Sequence, residues 1–247
     1  MIIAGEIKRM EDWYCKAGPK DKDTQWKDDY SAKEFARLWF KNETDLIEPE
    51  EIKNIIDSIY GTHKLLFCFP DHVSSLDTEK AGRNHDMFIL GFSKTHGLFV
   101  VCIEAKVEEK FGDKTIKQYL DSVKESSGVP KRVSWMKKKL DMSNRNIDDI
   151  YYQLLTATCG TITEAEKYDC KNCMILIVQI IPHRKISSTI EAHKKEIKKF
   201  IIANKPEKND DIVQSGYTTL LSTDNPNINV SLGYVEIKSV STVQFFQ

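Results

Sequence analysis

Apolar residues fall into short runs along the chain, and two neighbouring runs predict a β-hairpin. The runs at residues 87–92 and 98–103 are separated by residues 93–97, which end in Gly97. A connection of this length ending in glycine is typical of a hairpin loop. If the turn centres on Thr95, Phe92 pairs with Leu98. The same register places Asp86 opposite Glu104.

The remaining pattern predicts a mixture of helices and strands. Apolar residues recur at helical spacing in five segments, which are 31–42, 49–60, 115–124, 147–166 and 187–201. Strands are predicted at 64–69, 174–181, 217–222 and 230–238. The almost uninterrupted apolar run at 174–181 indicates a central strand covered on both faces. Gly160 lies inside the longest predicted helix and could break it, because glycine costs about 1 kcal/mol relative to alanine.

The hairpin would bring charged side chains together at one end. Directly opposed residues of an antiparallel pair lie on one face, with Cβ atoms about 5 Å apart. Alternation along the strand then puts Lys106 on the same face as Glu104. Two neighbouring carboxylates, Asp86 and Glu104, call for a neutralising group such as a divalent metal. In the alternative interpretation, Asp86 satisfies local backbone donors, and Glu104 and Lys106 form a solvated strand face.

An acid on one strand followed by Glu-x-Lys on the next resembles the PD-(D/E)XK nuclease superfamily. The segments IEAKVEEKFG and YYQLLTATCGTITEA are similar to an uncharacterised prokaryotic family assigned to that superfamily. The resemblance implies an α/β fold with a restriction-endonuclease-like three-layer core of order αβββαβ and a mixed central sheet. We expect one domain spanning residues 1–247. Its core would cover about residues 30–182, and residues 183–247 would be a C-terminal elaboration.

The resemblance implies a metal-dependent endonuclease that hydrolyses DNA phosphodiester bonds. Asp86 and Glu104 would ligate Mg²⁺ (or Mn²⁺), and Lys106 would orient the attacking water and stabilise charge on the phosphate. Superfamily members often act as dimers, so a homodimer is possible. The alternative is a catalytically inactive protein of this fold that acts as a nucleic-acid-binding or assembly subunit.

Two further residues match positions that relatives use. Glu34 corresponds to an extra metal ligand on the first helix, although Ser31-x-x-Glu34 also has the spacing of a capping box. Gln118 follows the Glu-x-Lys strand and is a candidate catalytic residue that would orient the nucleophile or bind the substrate backbone. Otherwise it is a surface glutamine. Asp71, in the dipeptide Pro70-Asp71, is set aside as the first acid because the polar segment 74–84 gives it no defined register.

Positive charge is clustered although the whole chain carries a formal net charge of −1. The candidate DNA-backbone contacts flank Trp135 and are Lys131, Arg132, Lys137, Lys138 and Lys139. Such a cluster could track phosphates, with Trp135 stacking on a base. In the alternative interpretation, the lysines form a solvated helix face and Trp135 packs in the core.

Other classes of protein fit the chain less well. The pair Cys170 and Cys173 lacks the second pair or the spaced histidines that a zinc site needs. No apolar stretch approaches the roughly 20 residues that span a bilayer, and the N-terminus does not resemble a signal peptide. We therefore expect a cytoplasmic protein without a membrane partner.

Overall fold

The computed structural model describes residues 2–3, 6–76, 82–124, 126–182, 187–209 and 211–239. The helices in these ranges are α1 (Met10–Ala17), α2 (Lys22–Gln25), α3 (Ser31–Leu38), α4 (Glu50–Tyr60), α5 (Ile116–Ser122), α6 (Val129–Lys139), α7 (Tyr152–Lys167) and α8 (Ser187–Asn204). The strands are β1 (Ile2–Ile3), β2 (Phe40–Lys41), β3 (Asp45–Leu46), β4 (His63–Ser74), β5 (Arg83–Ser93), β6 (Gly97–Lys106), β7 (Asn172–Ile181), β8 (Tyr217–Leu221) and β9 (Asn229–Lys238).

Seven of these strands form one mixed sheet with the order β1-β4-β5-β6-β7-β9-β8. Strands β4, β5 and β6 are antiparallel, whereas β6, β7 and β9 run parallel. Each face of the sheet has its own buried apolar layer. Phe88 and Cys102 pack with α7 on one face, and Met87 and Val101 pack with α3 and α4 on the other. The prediction of an α/β fold with a mixed sheet is confirmed.

The predicted hairpin is formed by β5 and β6 with the predicted register. Phe92 pairs with Leu98 and Met87 pairs with Ile103. Gly97 has a φ of 70°, a conformation that glycine adopts without steric cost. One more step along this register brings Asp86 opposite Glu104.

Strand β4 is longer than predicted, and its pairing corrects the argument about Asp71. It continues to Ser74, which pairs with Arg83 on β5. Pro70 pairs with Met87 and His72 pairs with His85, so Asp71 lies beside Asp86. The apolar pattern did not indicate this pairing because residues 70–74 are mostly polar. The stated reason for setting Asp71 aside was therefore wrong.

Helix α7 runs without a break through Gly160, which the sequence marked as a possible interruption. A Cβ atom at this position would lie 2.7 Å from Nε2 of His85 on β5. The glycine therefore allows the helix to approach the strand closely, and this contact outweighs its poor helix propensity.

The C-terminal elements extend the same sheet, as the late apolar runs predicted. Strand β9 pairs with β7 over its whole length, and β8 pairs with β9. Helix α8, with 18 residues, precedes them. Of the helices in the described ranges, none combines the length and apolar character needed to cross a bilayer.

Candidate active site

The three residues of the predicted site line one cleft at the end of the hairpin. The cleft has a volume of about 900 Å³ and contains Asp86, Glu104 and Lys106 in its wall. The lining also includes residues of α1 and α3, residues of the segment between them, and Gln153 of α7. The hairpin register alone was sufficient to predict that these three side chains meet.

Glu104 lies at the centre of a buried polar cluster and is only 2% exposed. Its Oε1 atom accepts hydrogen bonds from Nζ of Lys106 at 2.7 Å and from Nε2 of Gln153 at 2.6 Å. Its Oε2 atom accepts a hydrogen bond from the guanidinium of Arg83. Two cations therefore hold one carboxylate, one on each oxygen.

These contacts fix the charge of Glu104 and Lys106. Burial alone would raise the pKa of Glu104, but Arg83 and Lys106 outweigh burial and lower that pKa to about 2. Burial would likewise lower the pKa of Lys106, but Glu104 and Asp86 reverse this effect and raise it. Both groups are consequently charged at neutral pH.

Asp86 is in a different electrostatic state. Its Oδ2 atom accepts a hydrogen bond from the backbone N–H of Ala105 at 2.7 Å. Burial, and then the negative charge of Glu104, raise the pKa of Asp86 to about 7. Among the ion pairs between described residues, none includes Asp86. A cation placed beside it would favour its ionised form.

The cleft as a whole is acidic. The carboxylates that line it are Asp21, Asp29, Asp71, Asp86, Glu104, Glu108 and Glu109, and the cations are Lys20, Arg83 and Lys106. A phosphate group would be repelled from this surface unless bound cations compensated the negative charge.

A divalent cation in this cleft would have few protein ligands. The described residues contain no group of three or more histidine, cysteine, aspartate or glutamate side chains positioned to hold a metal, and structural zinc needs four ligands. Magnesium is commonly held by one or two carboxylates, with water and phosphate oxygens completing its shell. Asp86 and Glu104 are the two carboxylates of the cleft that could hold such a cation, and the Arg83 guanidinium already contacts Oε2 of Glu104.

Glu34 is buried on α3 and is engaged by other partners. Its carboxylate accepts hydrogen bonds from Nη1 of Arg37 at 2.6 Å, from the N–H of Asp29 at 3.1 Å and from the hydroxyl of Ser239. The capping-box alternative was wrong, because Ser31 is the first residue of the helix rather than its N-cap. Glu34 is not part of the cleft wall, and its role as a further metal ligand stays a prediction.

Gln118 does not reach the cleft, contrary to the role expected for it. It is exposed near the start of α5, where its side chain and the hydroxyl of Thr115 form a capping box. Gln153 on α7 instead donates to Glu104. Arg83 and Gln153 are the site residues that the sequence did not identify. Alternation along β5 would put Arg83 on the face opposite Asp86, so the hairpin register does not point to Arg83, and no spacing rule points to Gln153.

All five residues of the basic cluster lie on α6, and they differ in exposure. Lys131 and Lys138 are exposed, and Nζ of Lys137 donates to the carbonyl of Arg145 at 2.8 Å. Lys139 is only 9% exposed. Its ammonium contacts both carboxylate oxygens of Glu166 at 2.9 Å. Lys139 is therefore engaged within the fold, and its contact with DNA stays a prediction.

Trp135 packs against the core beneath α6, which agrees with the alternative interpretation of this segment. Nζ of Lys139 lies 5.3 Å from the centre of the Trp135 ring. The half-buried Arg132 lies on the same helix. The face of α6 that presents charge to solvent is thus smaller than the sequence indicated.

A family model described as a domain of unknown function (DUF6946) matches residues 6–239. The chain belongs to this family. The matched range includes Arg83, Asp86, Glu104, Lys106 and Gln153, so the cleft lies within the family's domain. No curated protein and no solved structure matches the chain. The family description states no activity, so the function has to be argued from the chemistry of the cleft.

Proposed function

We propose that the protein is a metal-dependent endonuclease that hydrolyses DNA phosphodiester bonds. The observation that carries the proposal is the cleft in which Asp86, Glu104 and Lys106 meet. A carboxyl group with its pKa raised to about 7 beside a permanently ionised one is typical of functional sites rather than of ordinary strand ends.

The order of the elements supports a restriction-endonuclease-like core. Helix α3 or α4 precedes the antiparallel strands β4, β5 and β6, and helix α7 and the parallel strand β7 follow them. This order gives the pattern αβββαβ, with Asp86 near the start of β5 and Glu104 near the end of β6. The two acids are adjacent because antiparallel pairing places the start of β5 beside the end of β6.

Lys106 acts as a charged donor in this proposal. Because its pKa is raised, the ammonium stays protonated at neutral pH and cannot take a proton from water. It can donate hydrogen bonds to the attacking water and to a phosphate oxygen, and so stabilise the charge that grows in the transition state. Magnesium or manganese held by Asp86 and Glu104 would lower the pKa of a water molecule and neutralise phosphate charge.

DNA contacts outside the cleft would come from exposed lysines. Lys131 and Lys138 on α6 are exposed and suit phosphate contacts that carry no sequence information. The acidic cleft wall would contact the backbone only where bound cations lie between the carboxylates and the phosphates.

The second candidate function is a nucleic-acid-binding or assembly subunit without catalysis. One observation favours it: Arg83 and Lys106 already neutralise Glu104 without a metal. A site with this internal compensation can be stable as a purely structural element.

The proposal is tested by DNA cleavage with plasmid and single-stranded substrates in Mg²⁺ and in Mn²⁺. We would compare the wild type with Asp86→Asn and Lys106→Met, and calorimetry would measure metal binding in each. Lys117→Met is the matched control because Lys117 lies on an exposed helix surface, paired with Asp121.

We expect cleavage to be lost in both site variants and retained in the control. Metal binding should be lost only in Asp86→Asn. If the wild type neither cuts any substrate nor binds metal, the endonuclease proposal fails and the second candidate replaces it.

A further inference from the structure

Arg83 occupies a position in the cleft that a metal ion would also use. Its guanidinium contacts Oε2 of Glu104, while Lys106 and Gln153 share Oε1. Both oxygens of the proposed ligand are therefore already bound by donors of the protein itself. Oε1 of Glu104 has both lone pairs engaged, whereas Oε2 has one engaged, by Arg83. A divalent cation on Glu104 would therefore bind at Oε2, beside or in place of the guanidinium, where the two positive charges compete.

Of the three donors, Arg83 is best placed to withdraw. Lys106 is 5% exposed and fixed on the same strand as Glu104, and Gln153 is fixed on α7. The side chain of Arg83 is 17% exposed, and it lies at the start of β5, where the strand enters the cleft wall. In addition, Arg83 Nε is buried without a hydrogen-bond partner, so its present position leaves one donor unsatisfied.

We infer that Arg83 is a built-in counter-ion that a metal displaces, and that the displaced guanidinium then binds the substrate phosphate. The inference rests on the proposed function. In the metal-free protein, Arg83 neutralises Glu104. When a divalent cation takes that place, the two positive groups repel each other and the guanidinium turns into the cleft. There its planar pair of donors suits a phosphate oxygen pair.

Charge removal at Arg83 should consequently strengthen metal binding, which is the opposite of what a simple supporting residue would do. The test is calorimetric titration with Mn²⁺ for the wild type, Arg83→Gln, Arg83→Met and Arg83→Lys. Arg145→Gln, at an exposed arginine, is the matched control for the change in net charge. Circular dichroism would establish that each variant is folded.

We expect the Kd for Mn²⁺ to fall at least fivefold in the two neutral variants. It should stay within twofold of the wild-type value in Arg83→Lys and in the control. In a second titration, thymidine 5′-monophosphate is added to the Mn²⁺-saturated proteins. Its affinity should fall at least fivefold in the neutral variants, because they lack the guanidinium that would bind the phosphate.

The results separate this inference from the proposed function. If the wild type binds Mn²⁺ and the folded neutral variants bind it equally or more weakly, the counter-ion role is overturned while the endonuclease proposal stands. If only one neutral variant folds, its Kd for Mn²⁺ decides the question. If neither neutral variant folds, Arg83→Lys decides it, because a large loss of Mn²⁺ affinity in Arg83→Lys contradicts competition by charge. If neither the wild type nor any folded variant binds Mn²⁺, both ideas are overturned.

Discussion

The replacement of Asp86 by asparagine should make the metal-free protein more stable, and the gain should depend on pH. The folded state holds the pKa of Asp86 at about 7, against an ordinary value of 3.8. Between these values the folded state binds more protons than the unfolded state, so stability falls as pH rises. Asparagine does not ionise, and its oxygen can still accept the hydrogen bond from Ala105. Asp86→Asn therefore removes this loss.

The size of the effect follows from the change in pKa. A change from 3.8 to about 7 corresponds to about 4 kcal/mol at about 1.4 kcal/mol per pKa unit. Asp86 is half-buried at the cleft, so water screens part of this energy, and we expect about 1–3 kcal/mol. The difference between variant and wild type should be small near pH 4, should grow up to about pH 7 and should then remain constant.

The assay is urea unfolding followed by circular dichroism at pH 4.5, 6, 7 and 8 with a chelator present. Asp121→Asn is the matched control because Asp121 forms an exposed ion pair with Lys117, and such pairs contribute about 0–1 kcal/mol. Added metal should act in the opposite direction. At 100 times its Kd, metal adds about 2.7 kcal/mol to a protein that binds it, and Asp86→Asn should not gain this. A difference that does not change between pH 4.5 and 8 would refute the electrostatic account of this site.

Three further predictions concern the stability of the fold, and a fourth concerns DNA binding. Gly160→Ala should destabilise the protein by about 1–3 kcal/mol, although alanine favours helices, because its Cβ would lie 2.7 Å from Nε2 of His85. Combining Gly160→Ala with His85→Ala should recover part of this lost stability, and urea unfolding would measure the recovery. The second prediction concerns His63, which is hydrogen-bonded to Asp57 at 2.7 Å and to Glu48 at 2.8 Å. Burial would lower the pKa of His63, but Glu48 and Asp57 outweigh burial and raise that pKa. The stabilisation from protonated His63, about 1.5–3 kcal/mol, should therefore be fully present below pH 6.5 and lost as the pH rises through the raised pKa. His63→Gln should consequently lower the melting temperature more at pH 6 than at pH 9. Lys139→Met should cost about 1–2 kcal/mol of stability by breaking the contact with Glu166, whereas Lys138→Met should leave stability unchanged. Lys138→Met should instead reduce the slope of log affinity for DNA against log salt concentration by about 1.

Local patterns were sufficient to predict most of the sheet. The hairpin register could be read from two apolar runs and a glycine, because alternation along a strand fixes which residues share a face. Elements without a strong apolar pattern were missed. Helix α1 buries only Trp13, and residues 70–74 of β4 are mostly polar although they pair with β5. Their structure depends on neighbours that are distant in sequence.

The same distinction explains which site residues could be predicted. Asp86, Glu104 and Lys106 lie on one hairpin, so a local rule relates them. Gln153 lies 49 residues from Glu104 and reaches it only because α7 packs over β6. The resemblance offered Gln118 as a candidate for orienting the nucleophile or binding the substrate backbone, because it follows the Glu-x-Lys strand, with a surface glutamine as the alternative. In the folded protein the next helix in sequence does not cover the site, and proximity in space selects the later glutamine. A cleft built by one hairpin can therefore be located from sequence, whereas the donors that set its charge depend on the packing of the whole fold.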